Sequence, residues 1–334
     1  MHNFWERTML KLSRLILSPL VAACFAAAAV AQSYPAKPVR IVVPYPPGGV
    51  DVTIRLLTNV MDSELGQPTI LDYRPGASGI IGTDYVARAE PDGYTILATA
   101  SNPWVVSPAM RKTTPYHPIR DFTPISIVIE GVNLIVANPS FPANNVSELL
   151  EYARKNPGKL SWSTTGIGSS WHLEVEHISH RAGVKILHVP FQGFAQMIPP
   201  LLTGDVPLAL ITYQIINKLV SAGKVKMIGV LSTNPKTRHL FPPGVQTVSE
   251  VLPGYQSAPS WIGFGGPAKL PRPIVMRLNA AIIKAINQPS VQKRFTADRI
   301  VATGSTPEEF AGRIRADFEL ALKVVKEASI PPTD

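Results

Sequence analysis

The sequence contains few of the features that mark a redox, membrane or nucleic-acid-binding protein. Its single cysteine, Cys24, lies in the N-terminal segment, so a processed chain would have neither disulfides nor thiolate chemistry. Beyond that segment no stretch approaches ~20 consecutive apolar residues, which predicts no membrane-spanning helix. The formal charge is +9, but no run of four basic residues occurs. Scattered basic residues favour mild attraction of anionic solutes over a nucleic-acid interface.

Common catalytic and metal-binding motifs are also missing. The Gly-rich segment Thr164–Ser170 lacks the Gly-Lys-Ser/Thr ending of a phosphate-binding loop, and it is not a G-x-S-x-G nucleophile elbow. No HExxH pair occurs. His172, Glu176 and His180 share one helix face at i, i+4 and i+8, but one straight helix does not easily wrap three ligands around an ion. The sequence therefore predicts no metal and no cofactor.

The N-terminal segment has the character of an export signal. Three basic residues precede an apolar run from Leu15 to Val30, and Ala29–Ala31 fits a small-x-small cleavage site. The sequence predicts a signal peptide over Met1–Ala31. Val21–Cys24 could instead be a lipoprotein cleavage site that leaves Cys24 as an anchor. The chain stays apolar after Cys24, which argues against lipidation.

Strand-like and helix-like segments alternate along the remaining chain, which predicts parallel α/β sheets with helices on their faces. In a first series, strands are expected at 39–43, 69–72 and 94–98, with helices at 51–65 and 79–88. In a second series, strands are expected at 160–163, 186–189, 208–211 and 226–231, with helices at 146–155, 170–182, 195–202 and 215–222. Three further helices are expected at 271–286, 290–295 and 306–328.

Two apolar segments are predicted to cross between these series. Phe122–Asn138 contains two apolar stretches without a polar linker, and Ser260–Gly265 precedes the last helices. We therefore expect one lobe from residues 32–130 plus 260–334 and a second lobe from residues 131–259. Two crossings would form a hinge with a cleft beside it. Ligands of open parallel sheets lie outside the carboxyl ends of the strands, so the strand–helix turns should point into this cleft.

The most informative of these turns lies within Arg40–Arg55, RIVVPYPPGGVDVTIR. A β-branched run ends in a turn containing Gly48 and Gly49, and a helical pattern starts at Asp51. Glycine allows close backbone approach to a bound group, and the first turn of a helix offers unpaired N–H groups to an anion. The turn predicts an anion site that needs no lysine or arginine.

Similar turns follow the other predicted strands. In the second lobe, Thr164–Ser170 leads into a helix, and Ser169 or Ser170 is expected to cap it or to hold a carboxylate. The remaining small or polar turns are Arg74–Gly79, Ala100–Pro103, Phe191–Gly193 and Thr212–Tyr213. Their shared position after strands argues for one cleft.

These segments, taken in order, resemble a known family. PYPPGGVD, RPGASG, PDGYTILA, NPGKLSWSTTGIGSSWHLEVE, HVPFQG, PPLLTGDV and TPEEF look like the Bug-type periplasmic receptors of tripartite tricarboxylate transporters. The resemblance extends from Tyr34 to about Ile330. It implies a two-lobed periplasmic binding protein of the type II class that captures a small carboxylate for membrane permease subunits.

The resemblance also implies the ligand-binding residues. In the first lobe these are Gly49, Val50, Asp51, Ala77, Ser78 and Ser101. In the second lobe they are Gly168, Ser169, Ser170, His172, Phe191, Gln192, Gly193 and Tyr213.

Two departures from the family pattern bear on the ligand. The family usually has GG-x-TD, whereas Gly49-Val50-Asp51 is one residue shorter and lacks the threonine. Pro207 and Ile211 stand where the family often has two acids. The cleft should therefore be more apolar, and either roomier or fitted to an aromatic acid.

The sequence is also compatible with two other functions, a ligand sensor and a hydrolase. A sensor that presents its ligand to a signalling receptor would use the same closed form. A hydrolase would need Ser169 or Ser170 to pair with His172, and the sequence offers no acid to orient that histidine. We expect no catalytic residues and therefore no enzyme.

Overall fold

The computed structural model describes residues 34–231, 241–242, 244–298 and 300–333. The predicted signal peptide, Met1–Ala31, and Cys24 lie outside the described residues. The body from Lys37 to the C-terminus forms one compact unit. Within the described residues, no helix combines the length and the apolar character needed to cross a bilayer.

The strands alternate with helices as the sequence predicts. The strands are β1 (Val39–Val43), β2 (Thr69–Tyr73), β3 (Thr95–Ala100), β4 (Phe122–Glu130), β5 (Asn133–Ala137), β6 (Ser161–Thr164), β7 (Leu187–Pro190), β8 (Leu208–Thr212), β9 (Lys226–Val230), β10 (Trp261–Pro267) and β11 (Val301–Ala302). The α-helices are α1 (Val50–Leu65), α2 (Ile80–Ala87), α3 (Ser107–Met110), α4 (Val146–Lys155), α5 (Ser170–Ala182), α6 (Phe194–Thr203), α7 (Tyr213–Ser221), α8 (Val248–Val251), α9 (Arg272–Ile286), α10 (Pro289–Ala297) and α11 (Pro307–Glu327). A 3₁₀ turn, Ala77–Gly79, precedes α2, and a π-helix, Asn102–Val106, precedes α3.

The described residues form two sheets with the same plan. The first has the order β11-β4-β10-β3-β1-β2, and the second has the order β7-β6-β8-β5-β9. In each sheet the strand that enters from the other sheet, β10 or β5, runs antiparallel to both of its neighbours. The predicted α/β architecture of two lobes is present. The lobe boundaries at residues 131 and 260 remain a prediction.

The two predicted crossings lie side by side. The first is not one continuous strand, because β4 ends in the first sheet at Glu130 and β5 begins in the second at Asn133. Between them the Gly131 amide donates to the carbonyl of Ser260 on the return crossing at 2.7 Å. A Cβ at Gly131 would lie 2.5 Å from the Ser260 hydroxyl oxygen, so a larger residue here would force the Ser260 side chain to turn away.

Each sheet buries a core against its helices. In β1, Val39, Ile41, Val42 and Val43 are fully buried, as expected for a strand covered on both faces. The first lobe also packs the Trp104, Trp261 and Phe310 rings edge to face with centroids 4.9–5.9 Å apart. Glycines in β10 make room for these rings, because a Cβ at Gly265 would collide with Trp104. This packing holds β3 and β10 together beside the crossings.

Candidate functional site

A cavity of about 340 Å³ lies between the two lobes. Its walls come from turns at the carboxyl ends of β1, β3, β6, β7 and β8, and from both crossings. The placement agrees with the rule for ligands of open α/β sheets. Four of the residues implied by the family resemblance line it: Gly49, Val50, Ser101 and Ser170.

The first-lobe wall is the turn before α1. Gly49 has φ 68° and ψ −114°, a conformation that residues with a Cβ rarely adopt, and it stands at the N-cap of α1 without any capping side chain. The buried Asp51 does not line the cavity. It folds back to accept hydrogen bonds from the Gly48 amide at 2.5 Å, Arg55 Nε at 3.0 Å and the Tyr73 hydroxyl at 3.2 Å. Asp51 therefore holds the turn that presents the Gly49 and Val50 amides.

The charge of Asp51 follows from these contacts. Burial opposes its ionisation, but the hydrogen bonds from Arg55, Gly48 and Tyr73 outweigh burial and lower the pKa of Asp51. The carboxylate is therefore ionised and already paired. It leaves the positive end of the α1 dipole free of a charged side chain facing the cavity.

The turn after β3 connects the lobe to the crossings. The buried hydroxyl of Ser101 donates to the carbonyl of Pro259 on the return crossing at 2.7 Å. Asn102 contacts the second lobe, because its Oδ1 lies 3.4 Å from Ser170 Oγ. Ser101 thus ties the turn after β3 to the return crossing, and the contact between Ser170 and Asn102 joins the two lobes beside the cavity.

The second-lobe wall is the turn before α5, and here the helix is capped. Ser169 Oγ accepts from the His172 amide at 3.1 Å and lies 2.6 Å from the carbonyl oxygen of Gly166. Its hydroxyl hydrogen therefore goes to a backbone carbonyl. No hydrogen bond joins it to a histidine ring nitrogen among the described residues, and the Ser/His pairing of a hydrolase is not formed.

Beyond Ser170, α5 supplies two cavity residues that the resemblance did not identify. Glu174 lies four positions after Ser170 and three after Trp171, spacings that make it a neighbour of both on the surface of the helix. These spacings are a signal from which they could have been found. Thr53, Asn102, Asn133, Thr212, Gln214 and Ile215 also line the cavity, as do Phe194 and Asp298.

Glu174 is an acid buried beside the cavity. Only 2% of it is exposed, and its oxygens accept from the Tyr255 hydroxyl and from the Ala258 amide at 2.5 Å. Burial raises the pKa of Glu174 to about 8, although the hydrogen bond from Ala258 acts in the opposite direction. Glu174 is therefore largely protonated at neutral pH, unlike Asp51. Its partners connect α5 to the segment that leads into the return crossing.

The other residues implied by the resemblance lie away from this cavity. Ala77 and Ser78 are exposed in the 3₁₀ turn with positive φ. Tyr213 is buried, and its ring packs edge to face with Phe241 at 6.2 Å. Phe191, Gln192 and Gly193 form the turn before α6, next to the cavity residue Phe194.

Gly168 and His172 belong to a separate pocket on the far side of α5, against Arg111 and the C-terminal Pro331–Thr333. His172, Glu176 and His188 place one ligand atom each within 4.8 Å of one another. His188 of β7 thus occupies the place that the sequence suggested for His180. This cluster is the one arrangement of described residues here that invites a metal interpretation.

The geometry of this cluster favours hydrogen bonding over metal ligation. The Gly168 amide donates to His172 Nδ1 at 3.2 Å, so Nε2 of the neutral ring carries the hydrogen and faces Glu176 at 3.9 Å. The His172 and His188 rings stack with centroids 4.3 Å apart and 14° between their planes. Their in-plane lone pairs therefore do not converge on one ion. Burial, helped by His172, lowers the pKa of His188 to about 4, which keeps it neutral.

The fold and the cavity between the lobes define a periplasmic binding protein of the type II class. The model of the tripartite tricarboxylate transporter family receptor (TctC) matches residues 53–308. The chain belongs to this family, and the predicted identity as a Bug-type receptor for small carboxylates is confirmed. Receptors of this family are periplasmic, and the family is one of binding proteins.

Individual relatives agree with this assignment. A UPF0065 protein of Bordetella pertussis is 36% identical over 308 residues, which cover 92% of this chain and 94% of that protein. Periplasmic binding protein BugD is 31% identical with a TM-score of 0.74, covering 89% of this chain and 99% of BugD. R. palustris Rpa4515, solved with adipate, is 29% identical with a TM-score of 0.78, covering 90% of this chain and all of that one.

Proposed function

We propose that the receptor holds the carboxylate of its ligand at the N-terminus of α1, through the amides of Gly49 and Val50 and the hydroxyl of Ser170. This hydroxyl donates to Asn102 Oδ1 at 3.4 Å in the free protein and exchanges that long contact for the carboxylate. The observation that carries this proposal is that α1 has no side-chain cap at a turn lining the cavity. Amide groups in the first turn of a helix have no intrahelical acceptor, and the helix dipole favours an anion there. A ligand carboxylate supplies the missing acceptor.

The number of donors suffices for ordinary receptor affinity. A hydrogen bond to a charged group contributes about 1.5–3 kcal/mol net, so three give roughly 5–9 kcal/mol. A micromolar complex needs about 8 kcal/mol. Contacts of the cavity walls with the rest of the ligand offset the cost of ordering it.

The other residues implied by the resemblance act mainly through the shape of the turns. Asp51 fixes the amides of the first turn, and Ser101 fixes the return crossing. Ser169 fixes the start of α5 as its cap. The remaining ones are Ala77, Ser78, Gly168, His172, Phe191, Gln192, Gly193 and Tyr213. We expect these to contact the ligand only after the lobes move about the paired crossings at Gly131 and Ser260.

Membership of the family supports a cellular role for this chain. A signal peptide directs export of the chain and is cleaved after Ala31. The mature receptor binds a carboxylate whose other end is apolar or aromatic. It delivers this ligand to the membrane permease subunits of a tripartite tricarboxylate transporter. It releases the ligand unchanged, because neither Ser169 nor Ser170 is paired with a base among the described residues. Mass spectrometry of the periplasmic protein tests the cleavage site directly.

Replacing Val50 tests the anion site one amide at a time. Proline is well tolerated at the first position of a helix, so Val50→Pro removes a single N–H donor while preserving α1. Titration calorimetry of protein purified from the periplasm, with benzoate, hexanoate and adipate as probes, should show at least tenfold weaker binding. Val50→Ala keeps the amide and should bind within twofold of the unaltered protein. Equal binding by both variants would refute the proposed anion site.

A further inference from the structure

The described residues of the cavity wall include no basic side chain. Among the described residues that line it, the ionisable side chains are Glu174 and Asp298, both acids. The oxygens of Glu174 already accept from Tyr255 and Ala258, and Asp298 Oδ2 accepts from Arg294 Nε at 2.6 Å. A second carboxylate on a ligand would find no lining cation among these residues. Enclosing an unpaired charge is strongly unfavourable.

The hydroxyl groups near the crossings are also committed. The Ser101 hydroxyl donates to the carbonyl of Pro259, and the Thr212 hydroxyl donates to Asn133 Oδ1 at 3.4 Å. The remaining side-chain donors include the neutral amides of Asn133 and Gln214. Neutral amides suit a neutral polar substituent better than a second full charge.

The other walls of the cavity are apolar and include two aromatic rings. Trp171 at the start of α5 and Phe194 at the start of α6 pack edge to face, with centroids 5.8 Å apart and 79° between their planes. Facing the same cavity, 48% of Val52 and 42% of Ile215 are exposed. An apolar ligand that covers these exposed side chains removes apolar surface from water, which stabilises the complex.

The volume limits the size of that ligand. At about 340 Å³ the cavity is at the small end of the range of about 300–1,000 Å³ for small-molecule sites. A single aromatic ring with one carboxylate fits this volume and meets both kinds of wall. The donors of α1 take its charge, and the Trp171–Phe194 pair contacts its ring.

We propose that, given the receptor function above, the cavity selects aromatic acids with a single carboxylate and rejects dicarboxylates. The relative solved with adipate binds a dicarboxylate, so this selectivity would distinguish the present chain from it. The deciding features are the Trp171–Phe194 pair, the apolar Ile215 and the absence of a cation among the described lining residues.

Two matched ligand pairs test the selectivity by calorimetry. Benzoate and terephthalate differ by one carboxylate on a ring, and hexanoate and adipate differ by one on a chain. We expect the monocarboxylate of each pair to bind at least tenfold more tightly, with benzoate the tightest of the four. Equal or tighter binding of the dicarboxylates would overturn the selectivity but leave the receptor function intact. No binding of any of the four would refute the anion site itself and the selectivity with it.

A substitution in the apolar wall should change the preference. Ile215→Arg supplies a guanidinium that can pair with a second carboxylate. We expect the ratio of terephthalate to benzoate affinity to rise at least tenfold. Ile215→Gln, which is polar but uncharged, should leave the ratio within twofold. Thermal unfolding of both variants checks that α7 remains folded, and an unchanged ratio in a folded Ile215→Arg protein would contradict the proposal.

Discussion

The turns that begin α1 and α5 face the same cavity but complete their helix ends differently. Ser169 caps α5 with its own side chain, whereas no side chain caps α1 after Gly49. The α5 turn therefore has one of its first amides, that of His172, satisfied by its own side chain. In the proposed complex, the α1 turn is completed by the ligand carboxylate. Two similar Gly-rich turns in one cleft therefore differ in what they leave available: the start of α1 has no side-chain cap, and the start of α5 has one.

The acids near the two turns differ in the same way. Asp51 is held ionised by donors from its own turn, and Glu174 is held protonated by burial in α5. Ionised Asp51 is neutralised locally by Arg55, and protonated Glu174 carries no charge. Neither acid therefore repels a carboxylate at the α1 amides.

The largest effect is expected at Asp51. Asp51→Ala leaves the Gly48 amide and the Tyr73 hydroxyl without their acceptor, and lost hydrogen bonds to a buried charge cost about 1.5–3 kcal/mol each. We expect the free energy of unfolding in urea to fall by about 3 kcal/mol and ligand binding to weaken more than tenfold. Arg55→Gln alters only an exposed partner and should cost no more than about 1 kcal/mol.

The stability that Asp51 contributes should depend on pH and decrease in acid. Because the native pKa of Asp51 is lowered, its stabilisation is present above the unfolded pKa of about 3.9 and is lost as the pH falls through the native value. The free energy of unfolding of Asp51→Ala should therefore fall less steeply than that of the unaltered protein as the pH is lowered through this range. If Asp51→Ala were no less stable than Arg55→Gln, the α1 turn would not depend on this carboxylate.

Glu174 should produce the opposite pH dependence. Its native pKa of about 8 lies above the unfolded value of about 4.3, so the stability linked to its proton is lost as the pH rises between these values. Glu174→Gln keeps an acceptor for Ala258 and removes the titration. The stability difference between the two proteins should change by about 2 kcal/mol from pH 5 to pH 7.

The histidines give a control within the Glu174 experiment. Burial lowers the pKa values of His177 and His188 to about 4, so their neutral forms stabilise the fold above about pH 6.5, and this stability is lost as the pH falls. Both titrate in the unaltered protein and in Glu174→Gln, so their contribution cancels in the difference. A difference that stayed constant with pH would show that Glu174 is not the titrating group.

Local signals in the sequence were enough for most of the fold. The predicted bounds of β1, α4 and α5 match the structure, because apolar spacing and caps such as Asn145 and Ser169 act within a few residues. The first crossing was predicted as one strand because its apolar run is nearly continuous. The break at Gly131 depends on the return crossing beside it, which is a tertiary contact.

The lining residues of the cavity that follow strands were predictable from the sequence. Gly49, Val50, Ser101 and Ser170 follow strands and line the cavity. Asn133 and Asp298 have no local signal, because distant segments bring them to the cavity. The histidine cluster contains His188 instead of the expected His180 for the same reason, because its composition depends on how β7 lies against α5.

The smallest effect should come from Ser169, and it separates the two turns most directly. Ser169→Ala removes the cap of α5, which costs about 1 kcal/mol and lowers the unfolding temperature by about 2–4 °C. Ligand affinity should stay within twofold, because this helix end is not the anion site. Thr306→Ala removes an equivalent cap from α11, where Thr306 accepts from the Glu309 amide at 3.2 Å, and should lower stability equally. A tenfold loss of affinity in Ser169→Ala alone would place the carboxylate at α5 and reverse the roles of the two turns.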